Sequence, residues 1–169
     1  MNCRLHEETL LHWRNALLAG TALGSILLSQ PALAVDFTVT TNADSGLGSL
    51  RQAIADAYHG DTITFDVSGT INLATPLILD KNLTLAGPGA DVLTLSGEDT
   101  ADSLLGISIP GVTVEIRGLT LTKAKARAIY NAGYLTVRDS AITEIGNSNS
   151  VGGVISNSTS GTLLLERST

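Results

Sequence analysis

Three segments of the chain repeat one another without gaps, and this repetition restricts the fold more than any other feature. They are Val114-Glu-Ile-Arg-Gly-Leu-Thr-Leu-Thr122, Leu135-Thr-Val-Arg-Asp-Ser-Ala-Ile-Thr143 and Leu163-Leu-Leu-Glu-Arg-Ser-Thr169. Each reads apolar, any, apolar, charged, then a turn-like step, with a second short strand after the first two. A second echo joins Ala128-Ile-Tyr-Asn131 to Val154-Ile-Ser-Asn157. The first elements begin at Val114, Leu135 and Leu163 and the second at Ala128 and Val154, so the repeat length is not constant. Equal strands with unequal loops suit a stacked coil, where an insertion bulges outward at one corner. A sandwich would show hairpin turns at short, constant spacing.

The rest of the chain from Asp61 agrees. Short β-branched or Leu-rich runs lie at 62–65, 70–73, 77–79, 83–85, 92–95, 104–109, 112–116 and 119–121, divided by Gly, Asn, Asp and Pro. A coil of about 20–28 residues cannot bury its own apolar face, so neighbouring coils must stack strand on strand. Aromatic residues are only 4% of the chain, so the expected core is an aliphatic column of Leu, Ile and Val. The expected architecture is all-β: a parallel β-solenoid of about five coils over residues 61–169.

Residues 35–60 read differently. Phe37-Thr-Val-Thr-Thr41 alternates as a strand, and Asn42-Ala-Asp-Ser-Gly46 is a turn. A helix is expected over 49–58, with Ser49 as N-cap, Gln52 completing a capping box, and Leu50, Ala53, Ile54, Ala57 and Tyr58 on one apolar stripe. Gly60 is the expected stop. Its place before the first coil suits a cap over the open end of the solenoid, an otherwise aggregation-prone edge.

Residues 1–34 read as a signal peptide. Arg4 and Arg14 precede the apolar run 16–28, and Ala32-Leu33-Ala34 is a small-x-small cleavage signal. Glu7 and Glu8 are atypical there, and an uncleaved anchor is the alternative. Cleavage after Ala34 would make Val35 the first residue of the mature chain. Cys3, the only cysteine, would leave with the segment, which excludes disulfides and thiolate chemistry from the rest. The expected location is therefore extracellular, cell-surface or periplasmic, with no transmembrane span after cleavage. The formal charge of −6 argues against nucleic acid as a partner and against docking on anionic lipid.

Gly48-Ser-Leu-Arg-Gln-Ala-Ile54, followed by Gly60-Asp-Thr-Ile-Thr-Phe65, resembles the N-terminal module of exported right-handed parallel β-helix proteins of pectin-lyase-like fold. The signature of that module reads approximately Cys-Ser-Leu-Arg-Glu-Ala. Ala128-Ile-Tyr-Asn-Ala-Gly133 and Gly152-Gly-Val-Ile-Ser-Asn157 resemble the Gly-rich turns of the same proteins. Gly48 replaces the Cys and Gln52 the Glu. The resemblance implies a right-handed coil and an adhesin-like or polymorphic outer-membrane-protein-like bacterial surface role. Members run for more coils, so a chain stopping inside a repeat at Thr169 is expected to be truncated or the first piece of a longer product.

Candidate sites are sparse. Arg117 and Arg138 share a repeat phase with Glu166 and would form one ladder, either a uronate-binding row or a solvated row offset by Glu115, Asp139 and Glu166. Lys123, Lys125 and Arg127 alternate with alanines, which would set three cations on one side of an extended segment, facing an acidic glycan or blunting an edge. Glu98, Asp99 and Asp102 offer oxygen ligands for calcium but lack the spacing of a calcium loop; a polar turn is the preferred reading, and no cofactor is expected. Asn131 and Asn157 suit an internal amide ladder. His59 stands alone after the helix, with no Ser-His-Asp or metal grouping around it. The expected function is a non-catalytic binding or display module for a glycan or cell-surface partner, presenting loops 123–127 and 144–153. The alternatives are a polysaccharide lyase or glycoside hydrolase, requiring Asp91, Asp99, Asp102 and Asp139 to converge near Arg117 or Arg138, or a fragment without function of its own.

Overall fold

The computed structural model describes residues 36–146 and 154–169. The expected signal peptide and positions 147–153 of the loop at 144–153 lie outside the described residues.

The elements follow in the order β1 (Asp36–Val39), α1 (Leu50–Asp56), β2 (Asp61–Phe65), β3 (Gly69–Asn72), β4 (Leu77–Ile78), β5 (Leu83–Ala86), β6 (Leu93–Ser96), β7 (Ser103–Ile107), β8 (Thr113–Arg117), β9 (Thr120–Thr122), β10 (Arg127–Asn131), β11 (Tyr134–Arg138), β12 (Ala141–Thr143), β13 (Ile155–Asn157) and β14 (Thr162–Glu166). All strand pairs are parallel. Sheet A has the order β1-β2-β5-β8-β11-β14, sheet B β12-β9-β6-β3, and sheet C β13-β10-β7-β4. The chain thus visits A, B and C in turn. From β2 to β13 it makes four three-strand coils, and β1 and β14 add partial coils at the ends. The fold is a β-solenoid of about five turns with one short helix near its start.

Period-2 alternation sends every second residue inward, and the parallel register lines these residues up along the stack. On sheet A, Ile63, Leu85, Ile116 and Val137 form one column, each fully buried, beside Leu83, Val114 and Leu135. Ile71, Leu95 and Leu121 do the same on sheet B, and Leu77, Leu105 and Ile129 on sheet C. The repeat phases hold as well. Leu135 pairs with Val114 of the coil before and with Leu163 of the coil after, and Asn131 pairs with Asn157.

The helix caps the start of the stack, with Leu50, Ala53 and Ile54 packed into the core. Ser49 is extended at φ −76°, ψ 158°, and its Oγ accepts the Gln52 N–H at 3.2 Å. Only this half of the capping box forms, because the Gln52 amide donates forward to Asp56 Oδ1 at 2.8 Å. The helix is also shorter than its apolar stripe suggests. The buried Asp61 carboxylate accepts the Tyr58 N–H at 2.7 Å and draws the chain out of the helix, so Tyr58 is 74% exposed rather than part of the stripe. Ala57 at ψ 153° ends the helix before Gly60 is reached.

Two cations tie the cap to the first coil. Lys81 Nζ donates to the carbonyls of Ile54, Ala55 and Ala57 at 3.1, 3.3 and 2.9 Å, placing positive charge at the negative end of the helix. Arg51 bridges Asp44 at 2.6 Å and donates to the carbonyls of Thr75 and Pro76 at 2.9 and 3.1 Å. Gly48, at φ +79°, is required locally, since a Cβ there would collide with Thr40 Oγ1.

At the other end, no strand among the described residues pairs with the outer edge of β14. Leu165 continues the inward column of Val137 yet is 53% exposed.

Replacing Ile116 with Ala in the middle of its column is expected to lower unfolding stability by about 2–5 kcal/mol, measured by urea denaturation followed by far-UV circular dichroism. Arg51→Ala is expected to expose the segment 40–57 to limited proteolysis first, leaving the coils resistant, because it releases the cap without touching the columns.

Candidate functional site

Each coil turns three corners, and the candidate charges sit at two of these corners and on the outer face of sheet A. The parallel register puts Arg138 opposite Arg117 on one side and Glu166 on the other. Glu115, two positions before Arg117, points from the same face. Arg138 Nε lies 3.2 Å from Glu166 Oε2 and 3.9 Å from Glu115 Oε1, and Arg117 Nε lies 3.9 Å from the same Glu115 oxygen. The 3.2 Å approach is a charge contact rather than an aligned hydrogen bond, since Arg138 Nε has no hydrogen-bond partner. Two arginines and two glutamates therefore balance on a partly exposed surface, where such pairs add ~0–1 kcal/mol each.

Asp139 adds its negative charge near Arg138, as expected of a residue offsetting the row, but it makes its hydrogen bonds elsewhere. It leaves β11 at φ +46°, a left-handed bend that turns its side chain to the corner between sheets A and B. There it forms a two-point bridge with Arg167 of the next coil, Nε–Oδ1 2.6 Å and Nη2–Oδ2 2.9 Å. Gly118, Asp139 and Arg167 each follow a sheet A strand and each has positive φ, so they stack as one corner column. Arg167 was legible in principle: it follows Asp139 at the same offset that separates Leu135 from Leu163.

The corner between sheets B and C joins two candidates that lie apart in the sequence. Lys123 has φ +54°, so the chain bends there, and the three cations do not share one extended segment. Arg127 instead opens β10, its guanidinium 6.0 Å from the Tyr130 ring centre. The loop 98–102 of the preceding coil stacks directly on 123–127. Asp99 N–H donates to the Lys123 carbonyl at 2.8 Å, Lys125 N–H to that of Ala101 at 2.8 Å, and Ala126 and Arg127 N–H to that of Asp102 at 3.1 Å. Lys125 Nζ comes within 3.7 Å of Asp102 Oδ1. The acidic loop read as a calcium candidate and the basic loop read as a glycan candidate thus partly neutralise one another. Among the described residues, no group of three or more His, Cys, Asp or Glu side chains is placed to hold a metal.

The four carboxylates required by a lyase or hydrolase are divided between two corners. Asp91 falls between β5 and β6, Asp99 and Asp102 between β6 and β7, and Asp139 between β11 and β12. Asp91 and Asp139 share a corner but sit two coils apart, about 10 Å along the stack.

The internal amide ladder forms. Asn131, fully buried, donates from Nδ2 to Asn157 Oδ1 at 2.6 Å and to the Thr162 carbonyl at 3.0 Å, while its Oδ1 accepts the Gly133 N–H at 3.1 Å. Its role is structural: it satisfies backbone groups where the chain turns from sheet C to sheet A.

Asn131→Ala is expected to cost about 1–3 kcal/mol by orphaning these groups, read as a lower thermal midpoint. The hydrogen bonds from Arg167, and then the charges of Arg167 and Arg138, hold the Asp139 carboxyl below its ordinary value. A depressed carboxylate contributes stability above its unfolded-state pKa and loses it as pH falls through the lowered one. Wild-type protein and Asp139→Asn are therefore expected to differ in thermal midpoint at neutral pH, and the difference to shrink as pH falls below the ordinary carboxylate range. Among the described residues no helix is long and apolar enough to cross a membrane. The chain matches no protein-family model and no curated protein, so the fold and the corner geometry stand as the basis for its function.

Proposed function

We propose that this chain is an exported, non-catalytic β-solenoid, adhesin-like in character, that displays its corner loops to a glycan or cell-surface partner. The observation that carries this reading is the division of labour within each coil. Aliphatic columns and backbone ladders hold the stack, while the charged groups sit in short bends and in one row on an outer face, spread over the surface rather than gathered at one point. The scatter of Asp91, Asp99, Asp102 and Asp139 favours display over polysaccharide cleavage, which uses neighbouring carboxylates to flank one bond. Export is supported by the basic n-region, the apolar run and Ala32-Leu33-Ala34 within segment 1–34, and by the resemblance of 48–54 and 60–65 to the module of exported β-helix proteins. Repeated weak contacts along stacked corners would sum by multivalency.

Fractionation of producing cells with intact-mass analysis tests the reading. The expected species is secreted or surface-exposed and begins at Val35. Retention in the cytosol with segment 1–34 attached would overturn export, and release of shorter products from polygalacturonate or other polysaccharides would overturn the non-catalytic assignment.

A further inference from the structure

We infer that the cleft under the C-terminal end of α1 is a binding site for an uncharged or amino-bearing pyranose glycan. The inference rests on the display reading above and names a ligand-binding surface that the charged corner loops do not supply.

The cleft is open, about 590 Å³, and lies between residues 55–59 and the bend 80–81 that leads into β5. This volume falls within the ~300–1,000 Å³ range of small-ligand sites. Its side chains are Asp56, Tyr58, His59, Asp80 and the stem of Lys81. Tyr58 is 74% exposed in a chain with only 4% aromatic residues. The Asp61 carboxylate that draws the chain out of the helix leaves this ring on the surface beside the cleft.

The walls are fixed in advance. The Tyr58 N–H is held by Asp61 Oδ2 at 2.7 Å, and the Gly60 N–H donates to the Asn82 carbonyl at 2.8 Å. His59 Nδ1 accepts the Asn82 N–H at 3.1 Å, which ties its ring to the bend before β5. Lys81 Nζ is committed to three helix carbonyls, so the cation in the cleft is already in use. Asp56 gives one oxygen to Gln52, and Asp80 is 4.0 Å from Lys81 Nζ with its side chain 55% exposed.

These groups select a chemical class. The Tyr58 backbone is held by Asp61, and its exposed phenol ring offers an apolar face with a polar tip, which suits the C–H face of a pyranose. Carboxylate oxygens are pure acceptors and match sugar hydroxyls or an ammonium group. Two carboxylates beside an engaged lysine repel uronates and sulfated sugars. A pre-formed wall lowers the ordering cost of binding, but an open cleft covers only one side of a ligand, so a dissociation constant of order ~1 mM is expected.

The test is ligand-observed NMR titration of the purified protein with chitobiose, cellobiose, mannobiose and digalacturonate. Binding of at least one of the first three, and not of digalacturonate, is expected. Tyr58→Ala should weaken that binding by about tenfold or more, Tyr58→Phe should largely retain it, and Asp80→Asn should weaken it several-fold, all with unchanged thermal midpoints because these side chains are outside the core. Absence of binding to all four probes, preference for digalacturonate, or equal binding by Tyr58→Ala would overturn the inference. Cell-surface adhesion measured with the same proteins separates the two levels. Adhesion by wild type that survives Tyr58→Ala overturns the cleft and leaves the display reading standing, whereas wild-type protein that adheres to nothing overturns both.

Discussion

A single coil of this chain is one strand thick along the stack and has no inside of its own; its apolar residues become buried only when another coil lies on each side. Parallel backbone hydrogen bonding sets that spacing at about 4.8 Å, and the in-register columns, such as Ile63-Leu85-Ile116-Val137, supply the burial. The two terms depend on each other. Slipping a strand by one position would turn its aliphatic side chains outward and its polar ones inward, so register is enforced by the columns, and the columns exist because register is kept. Stability of this kind is a sum over neighbouring coils, and the ends are where the sum is incomplete. At the start, α1 fills the gap, held by Lys81 at its final turn and by Arg51 across to Thr75 and Pro76.

Corners answer a different demand. Three flat strands can close into a coil only if the chain bends sharply between them, and residues such as Lys123, Asp139, Glu144 and Arg167 do this in the left-handed region without glycine. Each such residue costs roughly 1–2 kcal/mol relative to a relaxed backbone, and the bonds between stacked corners offset it. The Asp139–Arg167 bridge and the backbone bonds joining 98–102 to 123–127 are examples. Several of the charges thus serve the bends, pairing between stacked corners.

The columns could be read from the sequence because every coil repeats the same alternation, so the placing of Val114, Leu135 and Leu163 already states which strands pair. The handling of the corners could not be read in the same way. Alternation of Lys123, Lys125 and Arg127 with alanine suggests an extended segment, and only a positive φ at Lys123 breaks it. The end of α1 is hidden for a similar reason: the apolar stripe runs on to Tyr58, but the buried carboxylate of Asp61 takes the amide away. The contact of Lys125 with Asp102 joins two loops whose repeat relation is obscured by their unequal lengths. The cleft of Tyr58, His59 and Asp80 combines a non-repeating cap with a bend of the first coil, so no periodicity announces it.

The spread in coil length carries a consequence of its own. Asp61 aligns with Leu83, Leu83 with Val114, and Val114 with Leu135, although the turn from Leu83 to Val114 uses far more chain than the turns on either side of it. The extra length leaves the columns in register, because it is taken up in the connections between strands. Surface and interior are therefore nearly independent variables in this architecture: a peptide of foreign sequence grafted between β5 and β6 would alter what the molecule shows to its surroundings while the folding problem stays the same.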